Sequence, residues 1–527
     1  MSPRPPRVCS SMFRVKPATL PELSVALQRM GTSRASGNDG ITLQMLRITF
    51  PVIGPHLLKI INCSLSTGTV PEAWKVASVV PLYKAGDQTD PSNYRPISIL
   101  PVVGKLCEKI VCLQLAAYLG ENHILCPQQH GFRPGHSTET AMLDAINYVT
   151  SNLDTGLITT ILTADTSKAF DSVEHGRLLE KMGWYGICEH WFRDWLSGRS
   201  QSIQGSSTLP VTHGVVQGSL LGPKLFLIFT NDLPSYLPHG KQVMYADDVQ
   251  FLDCDAPANL SALKQRIDQT MSVALDWFTQ NRLKINPNKT DLLLVRSSRR
   301  VLHHQFSARF GDVDIKPSDH AKILGLFLDS NMTWEKQVSQ VTRRCFNILV
   351  GLSKVRHKIP RETKQLLVKS LVFPHIQYCL TVWGSCNVTQ KKRVQKIINF
   401  AARIITGFKR NQHISPALRE LGWLKVDGMI AERDVAMLSR LLCSTATPPA
   451  LTAGIQKRSD VSLRTTRASE AGALHAPRVR TEAAKRAFAY RSVMAWNRLP
   501  ADVRTSESVI TIRTAAKKWI FESEDCD

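Results

Sequence analysis

The chain has no run of roughly 18 consecutive apolar residues, the length that would suggest a spanning helix. It also has no apolar stretch behind its opening Met1-Ser2-Pro3-Arg4-Pro5-Pro6, so a secretory signal is not expected either. Its 12 cysteines are scattered singly, and the closest pair, Cys107 and Cys112, lacks the Cys-x-x-Cys spacing. No Cys/His group has zinc-knuckle spacing, which argues against a disulfide framework and a structural zinc site. Reduced, packed thiols in a nuclear and/or cytoplasmic protein are the expectation. Acidic residues are in short supply, 43 against 66 basic ones, for a formal charge of +23 and a pI near 9.7. Such an excess favours a polyanionic partner, and nucleic acid fits better than an anionic membrane because no long amphipathic basic helix is evident.

What is present is ordinary globular composition, 43% hydrophobic and 21% charged over 527 residues, enough for about two to four domains. The pattern divides at residues 1–63, 64–330, 331–443, 444–470 and 471–527, with no internal repeat. The first segment reads as helical, with Leu43, Leu46 and Phe50 on one stripe. From 64 to 330, helices alternate with short apolar strands; Leu260 to Phe278 is the clearest helix and Asp291 to Val295 a short strand. Beyond 331 the chain turns mostly helical: Val394, Ile397, Ile398, Ala401, Ile404 and Ile405 form a stripe that should end at Gly407. Residues 444–470, rich in Ser, Thr, Ala and Pro, read as a linker before a basic C-terminal module containing Phe488, Tyr490 and Trp496.

Tyr245-Ala246-Asp247-Asp248 lies between two apolar runs and reads as a hairpin tip. Asp is also a common turn residue, so the pair alone fits a structural turn as well as a metal site. Asp165 ends the run Ile161-Leu162-Thr163-Ala164. Three carboxylates delivered by strand ends would offer the hard oxygen ligands that Mg2+ selects.

The text around these acids carries a resemblance. Asp165-Thr166-Ser167-Lys168-Ala169-Phe170-Asp171, Gly214-Val215-Val216-Gln217-Gly218-Ser219-Leu220-Leu221-Gly222-Pro223 and Tyr245-Ala246-Asp247-Asp248 resemble, in order, three motifs of LINE-type (non-LTR) retrotransposon reverse transcriptases. Asn93 to Ser98, Gln129 to Arg133, Asn286 to Thr290 and Leu324-Gly325 match the same family in the same order. The likeness runs on to Trp496-Asn497-Arg498-Leu499-Pro500 and is nearest the Jockey-like group. It implies an α+β fold of right-hand polymerase architecture: a helical extension (1–63), fingers and an antiparallel-sheet palm (64–330), a helical thumb or connection (331–443), a linker and the basic module (471–527). The implied activity is RNA-directed DNA synthesis, with an RNA template, a DNA primer and deoxynucleoside triphosphates as partners.

By the same resemblance, two Mg2+ ions, with Mn2+ as the alternative, would be held by Asp165, Asp247, Asp248 and the carbonyl of Thr166. Asp165 and Asp247 would bridge the ions. Phe170 would be a steric gate against the ribose 2′-hydroxyl, and Gln217 and Gly218 would line the incoming nucleotide. Lys84, Arg95 and Lys289 would neutralise its triphosphate. Gln129, Gly131, Phe132 and Arg133 would track the template, and Lys392, Arg393 and Lys396 would hold the duplex by its phosphates.

Two departures temper the picture. Val216 stands where the family usually has proline, which frees φ in that loop. Only about 60 residues precede the fingers, so an N-terminal endonuclease is not expected and a separate one would have to act in trans. The rival expectation is a decayed or co-opted copy that binds nucleic acid without catalysis.

Overall fold

A computed structural model describes residues 12–32, 34–203, 206–286, 290–297, 306–461 and 472–524. It is an α+β fold that divides into two compact units, each assembled from three stretches of chain. The first is Met1–Phe132, Asp165–Pro238 and Thr270–Asn288; the second is Arg133–Ala164, His239–Gln269 and Lys289–Asp527.

In the first unit, α1 (Leu20–Gln28) starts at a Thr19–Glu22 capping box, in which side chain and backbone satisfy each other's amides. The expected stripe through Phe50 extends much further: α2 runs Leu43–Thr67, through Pro51 and Pro55. By length and composition α2 is apolar enough to cross a membrane, a property that counting consecutive apolar residues does not detect. It buries Leu46, Leu57, Ile61 and Leu65 within the unit and leaves Met45, Ile48 and Val52 exposed.

A four-stranded sheet has the order β2-β1-β5-β6, formed by β1 (Val76–Tyr83), β2 (Tyr94–Ile99), β5 (Arg199–Ile203) and β6 (Leu209–Val211). The same unit holds α3 (Val102–Glu121), α5 (His175–Trp184), α6 (His190–Leu196) and α7 (Gly222–Thr230). Each buries apolar side chains, among them Leu106, Leu178, Phe192, Trp195, Phe226 and Phe229. The small ladder of β4 (Thr166–Ser167) with β9 (Lys284–Ile285) belongs to this unit too.

The second unit is built on a five-stranded sheet of order β11-β10-β3-β8-β7. Its strands are β3 (Ile158–Ala164), β7 (Lys241–Tyr245), β8 (Asp248–Asp255), β10 (Asp291–Val295) and β11 (Pro317–Ser318). All neighbours are antiparallel except β10 and β11. Helix α4 (Thr138–Thr155) buries Ala141, Met142, Ile146 and Val149 in the same core as Ile161, Val243, Leu252 and Leu293. α8 (Leu260–Gln280) matches the helix read from its apolar stripe and carries the chain from the second unit back to the first.

Beyond the sheet come α9 (Glu335–Val355), α10 (Val388–Thr406) and α11 (Val426–Cys443). α10 ends at Gly407 with φ of 81°, the left-handed C-cap its sequence called for. The C-terminal aromatics are core: Phe488 and Trp496 on α12 (Phe488–Asn497) are buried, near α13 (Val509–Ser523). Arg491 of α12 grips the fully buried Asp434 of α11, with Nε 2.5 Å from Oδ2 and Nη2 2.9 Å from Oδ1. Of the expected linker, 449–452 and 458–461 are short helices and 462–470 lies outside the described residues.

One buried ion pair tests the first unit. Lys181 Nζ donates to Asp232 Oδ1 and to the Phe229 carbonyl, both at 2.7 Å, with both side chains almost wholly buried. Burial pushes the Lys181 ammonium down to about 8 against the opposing pull of Asp232. Lys181→Met, which strands the Asp232 carboxylate, is expected to cost about 3–5 kcal/mol in denaturant unfolding, whereas Lys181→Met with Asp232→Leu should recover most of it.

Candidate active site

The β7–β8 hairpin reverses in two residues: Tyr245 pairs with Asp248, leaving Ala246 and Asp247 as the turn. Short hairpin turns of this kind need φ > 0 at the first central position. Ala246 supplies it, at 56°, without being glycine, and its side chain is buried. A non-glycine held there stores strain of the sort that clusters at functional sites. Tyr245 packs against the unit's core, while Asp247 and Asp248 are half-buried at the tip. Next door, β3 runs antiparallel to β8 and its last pair is Ala164 with Val249, the residue after Asp248. Asp165 follows Ala164 directly, is half-buried, and accepts a hydrogen bond on its carbonyl from the Asn286 amide at 3.1 Å. Among the described residues, no group of three or more His, Cys, Asp or Glu is gathered closely enough to hold a metal ion.

In the first unit, the segment after Asp165 and the loop from Gly214 to Leu221 are locked together. Thr166 is buried in the β4–β9 ladder. The Phe170 ring stacks on the buried Phe226 with centroids 4.4 Å apart and planes at 12°, and meets the exposed Phe132 edge-on at 6.1 Å. The Val215 amide donates to the Phe170 carbonyl at 2.8 Å, and Gln217 Nε2 donates to Asp171 Oδ1 at 2.6 Å. The Ser98 amide of β2 donates to the Gln217 carbonyl at 2.7 Å. Gly218, with φ of 127°, comes so close to β2 that a Cβ would stand 2.2 Å from the Ser98 carbonyl oxygen. Glycine is required there by both space and backbone conformation. A cavity of about 380 Å3 adjoins this loop, and Lys75, Lys168, Asp171, Arg199, His213 and Gln217 are among its lining residues.

The remaining candidates are spread out. Arg95 is exposed on β2, where it pairs with Leu82, and Lys84 is exposed just past the end of β1. Lys289 lies outside the described residues. Gln129 and Gly131 are buried, the Gln129 side-chain oxygen accepting the Gly131 amide at 2.7 Å, and Arg133 is half-buried. On α10, Lys392 and Lys396 are exposed one turn apart, but Arg393 turns inward to Ser339 Oγ at 3.0 Å and Gln390 Oε1 at 2.9 Å. Reading the sequence missed Asp171, Ser98 and Glu108, which hold the Gln217 loop. Asp171 and Ser98 stood inside recognised motifs, whereas Glu108 carried no local signal.

The family model described as reverse transcriptase (RNA-dependent DNA polymerase) matches residues 83–328, a span that contains the hairpin, β3 and the loop. Within that span the chain is similar to a reverse transcriptase domain. It is 27% identical over 416 residues to the protein named "Probable RNA-directed DNA polymerase from transposon BS" of Drosophila melanogaster, covering 74% of this chain and 45% of that protein. Against the RNA-directed DNA polymerase from mobile element jockey of the same fly it is 26% identical over 410 residues, 72% of this chain and 42% of the other. Against the retrovirus-related Pol polyprotein from type-1 retrotransposable element R1 of Bradysia coprophila it is 26% identical over 375 residues, 69% and 37% respectively. These relatives are named for a transposon, a mobile element and a retrotransposable element, and the chain spans less than half the length of each.

Gly218→Ala forces a Cβ onto the Ser98 carbonyl and should cost at least about 1–3 kcal/mol in denaturant unfolding; an unchanged midpoint would contradict the close approach.

Proposed function

We propose that this chain is an RNA-directed DNA polymerase that extends a DNA 3′ end on an RNA template by two-metal nucleotidyl transfer. The observation that carries the reading is strand register within the matched domain. The pairing of Ala164 with Val249 brings the end of β3, one residue short of Asp165, beside the start of β8 at Asp248. In this reading the five-stranded sheet is the palm, β1 and β2 belong to the fingers, and the helices from 335 to 443 form the thumb.

The donor set fits a hard divalent cation in kind: three carboxylates, Asp165, Asp247 and Asp248, with the Thr166 carbonyl, and no soft ligand among them. Cations bound there would lower the pKa of the primer hydroxyl and neutralise the departing pyrophosphate. The chain's own part is to position and select. Phe170, backed by Phe226, sets a flat ring beneath the sugar, where a 2′-hydroxyl would collide with it. Gln217 and Gly218 offer an amide side chain and bare backbone to the nucleotide. Lys84, Arg95 and Lys289 would meet the triphosphate, and Lys392 and Lys396 the duplex phosphates, so binding should weaken with salt.

Primer extension on poly(rA)/oligo(dT) with Mg2+ tests the reading. The wild-type chain should incorporate dTTP, and Asp165→Asn or Asp247→Asn should lower the rate by about a thousandfold or more. Robust synthesis by the double variant would refute the site. Phe170→Val should raise ribonucleotide incorporation relative to deoxynucleotide by at least about tenfold, read as the ratio of kcat/KM values. The second reading, a nucleic-acid binder without catalysis, draws on Val216 in place of the usual proline; wild-type binding of an RNA–DNA hybrid without any incorporation would favour it.

A further inference from the structure

Glu108 on α3 is buried to 3% exposure in the first unit and is not among the residues assigned above to the chemistry. Its carboxylate is ringed by donors. Trp195 Nε1 donates to Oε1 at 3.1 Å, while Ser219 Oγ and the Leu220 amide donate to Oε2 at 2.8 and 2.9 Å. Arg199 Nη2, on a side chain equally buried, stands 4.0 Å from Oε1. One helical turn on from Glu108, Cys112 Sγ donates to the Leu220 carbonyl at 3.1 Å. The Ser219 hydroxyl then accepts the Leu221 and Gly222 amides at 2.9 and 3.1 Å, tying the same loop to the start of α7. A buried carboxylate is costly unless its lone pairs are used and its charge is matched, and here both conditions hold.

We propose that Glu108 is a positioning residue that fixes the Gln217–Gly218 loop at the height where an incoming nucleotide must meet it. This rests on the polymerase reading of Gln217 and Gly218. α3 holds the C-terminal side of the loop through Ser219 and Leu220, while β2 and the segment after Asp165 hold the other side through Ser98 and Asp171. With both sides held, Gln217 has little freedom, and the loop does not need a proline at 216 to keep its shape. The ring of donors also explains why a carboxylate is required. In Glu108→Gln the amide nitrogen would face Trp195 and Arg199 in one orientation and the Leu220 amide in the other, a donor–donor contact either way.

The full-length chain, Glu108→Gln and Ser219→Ala are compared in thermal melting, amide hydrogen exchange and steady-state primer extension. In Glu108→Gln, exchange across residues 214–222 should quicken by about tenfold while α5 stays protected, and KM for dTTP should rise by about tenfold with kcat within about threefold. Ser219→Ala, which keeps the Glu108–Arg199 pair, should shift both readouts in the same direction by about threefold and decides the matter if Glu108→Gln fails to fold. Exchange and KM that stay at wild-type values in a folded variant overturn the proposal. A wild-type chain that incorporates no nucleotide overturns the polymerase reading instead, and loop exchange alone then decides the role of Glu108.

Discussion

A strand packed on both faces cannot slide. β3 buries nearly every residue, including Thr159 and Thr160, and pairs along its length with β8 on one side and β10 on the other. Shifting it by one residue would swap every side chain to the opposite face. That fixes where β3 ends relative to β8, and therefore where the chain emerges into Asp165. The strain accepted at Ala246 follows from the same constraint. Only a two-residue reversal lets β7 and β8 pair up to Tyr245 and Asp248 and still leave both carboxylates at that end of the sheet.

Charged groups inside the two units serve as fasteners. Glu108 among its donors, Lys181 with Asp232, and Arg491 with Asp434 each join segments distant in sequence. Desolvating such pairs offsets much of their attraction, so they contribute less to stability than to choosing one arrangement over its neighbours. In the first unit the arrangement chosen is that of the loop from Gly214 to Leu221. In the second it is the seating of α12 on α11, which turns a basic, aromatic segment into core.

Much of this was legible where the signal is local. The hairpin at Tyr245–Asp248, the strand 291–295, the helix from Leu260 and the glycine cap at 407 follow from periodicity and turn chemistry within a few residues. The burial of Glu108 was not legible, because an acid on a helix reads as solvent-facing until partners 87 and 111 residues away are known. The same applies to Arg393, which reads as part of a basic face and instead bonds Ser339, 54 residues earlier. The run of α2 through two prolines went against local propensity, and the apolar side it buries against the unit's core outweighs the amides it loses. The motif series located the candidate site, but it could not reveal that Phe170 leans on Phe226 or that β2 lies too close to Gly218 to admit a methyl group.

The interleaving of the two units in sequence bears on what a truncated chain retains. Each unit is stitched from three separate stretches of chain, and the last stretch of the first unit ends only at Asn288. A stop codon or frameshift anywhere between residues 133 and 288 therefore deprives both units of sequence, and no early-terminated product retains one of them whole. A truncated chain keeps the first unit whole only when the break lies downstream of that point.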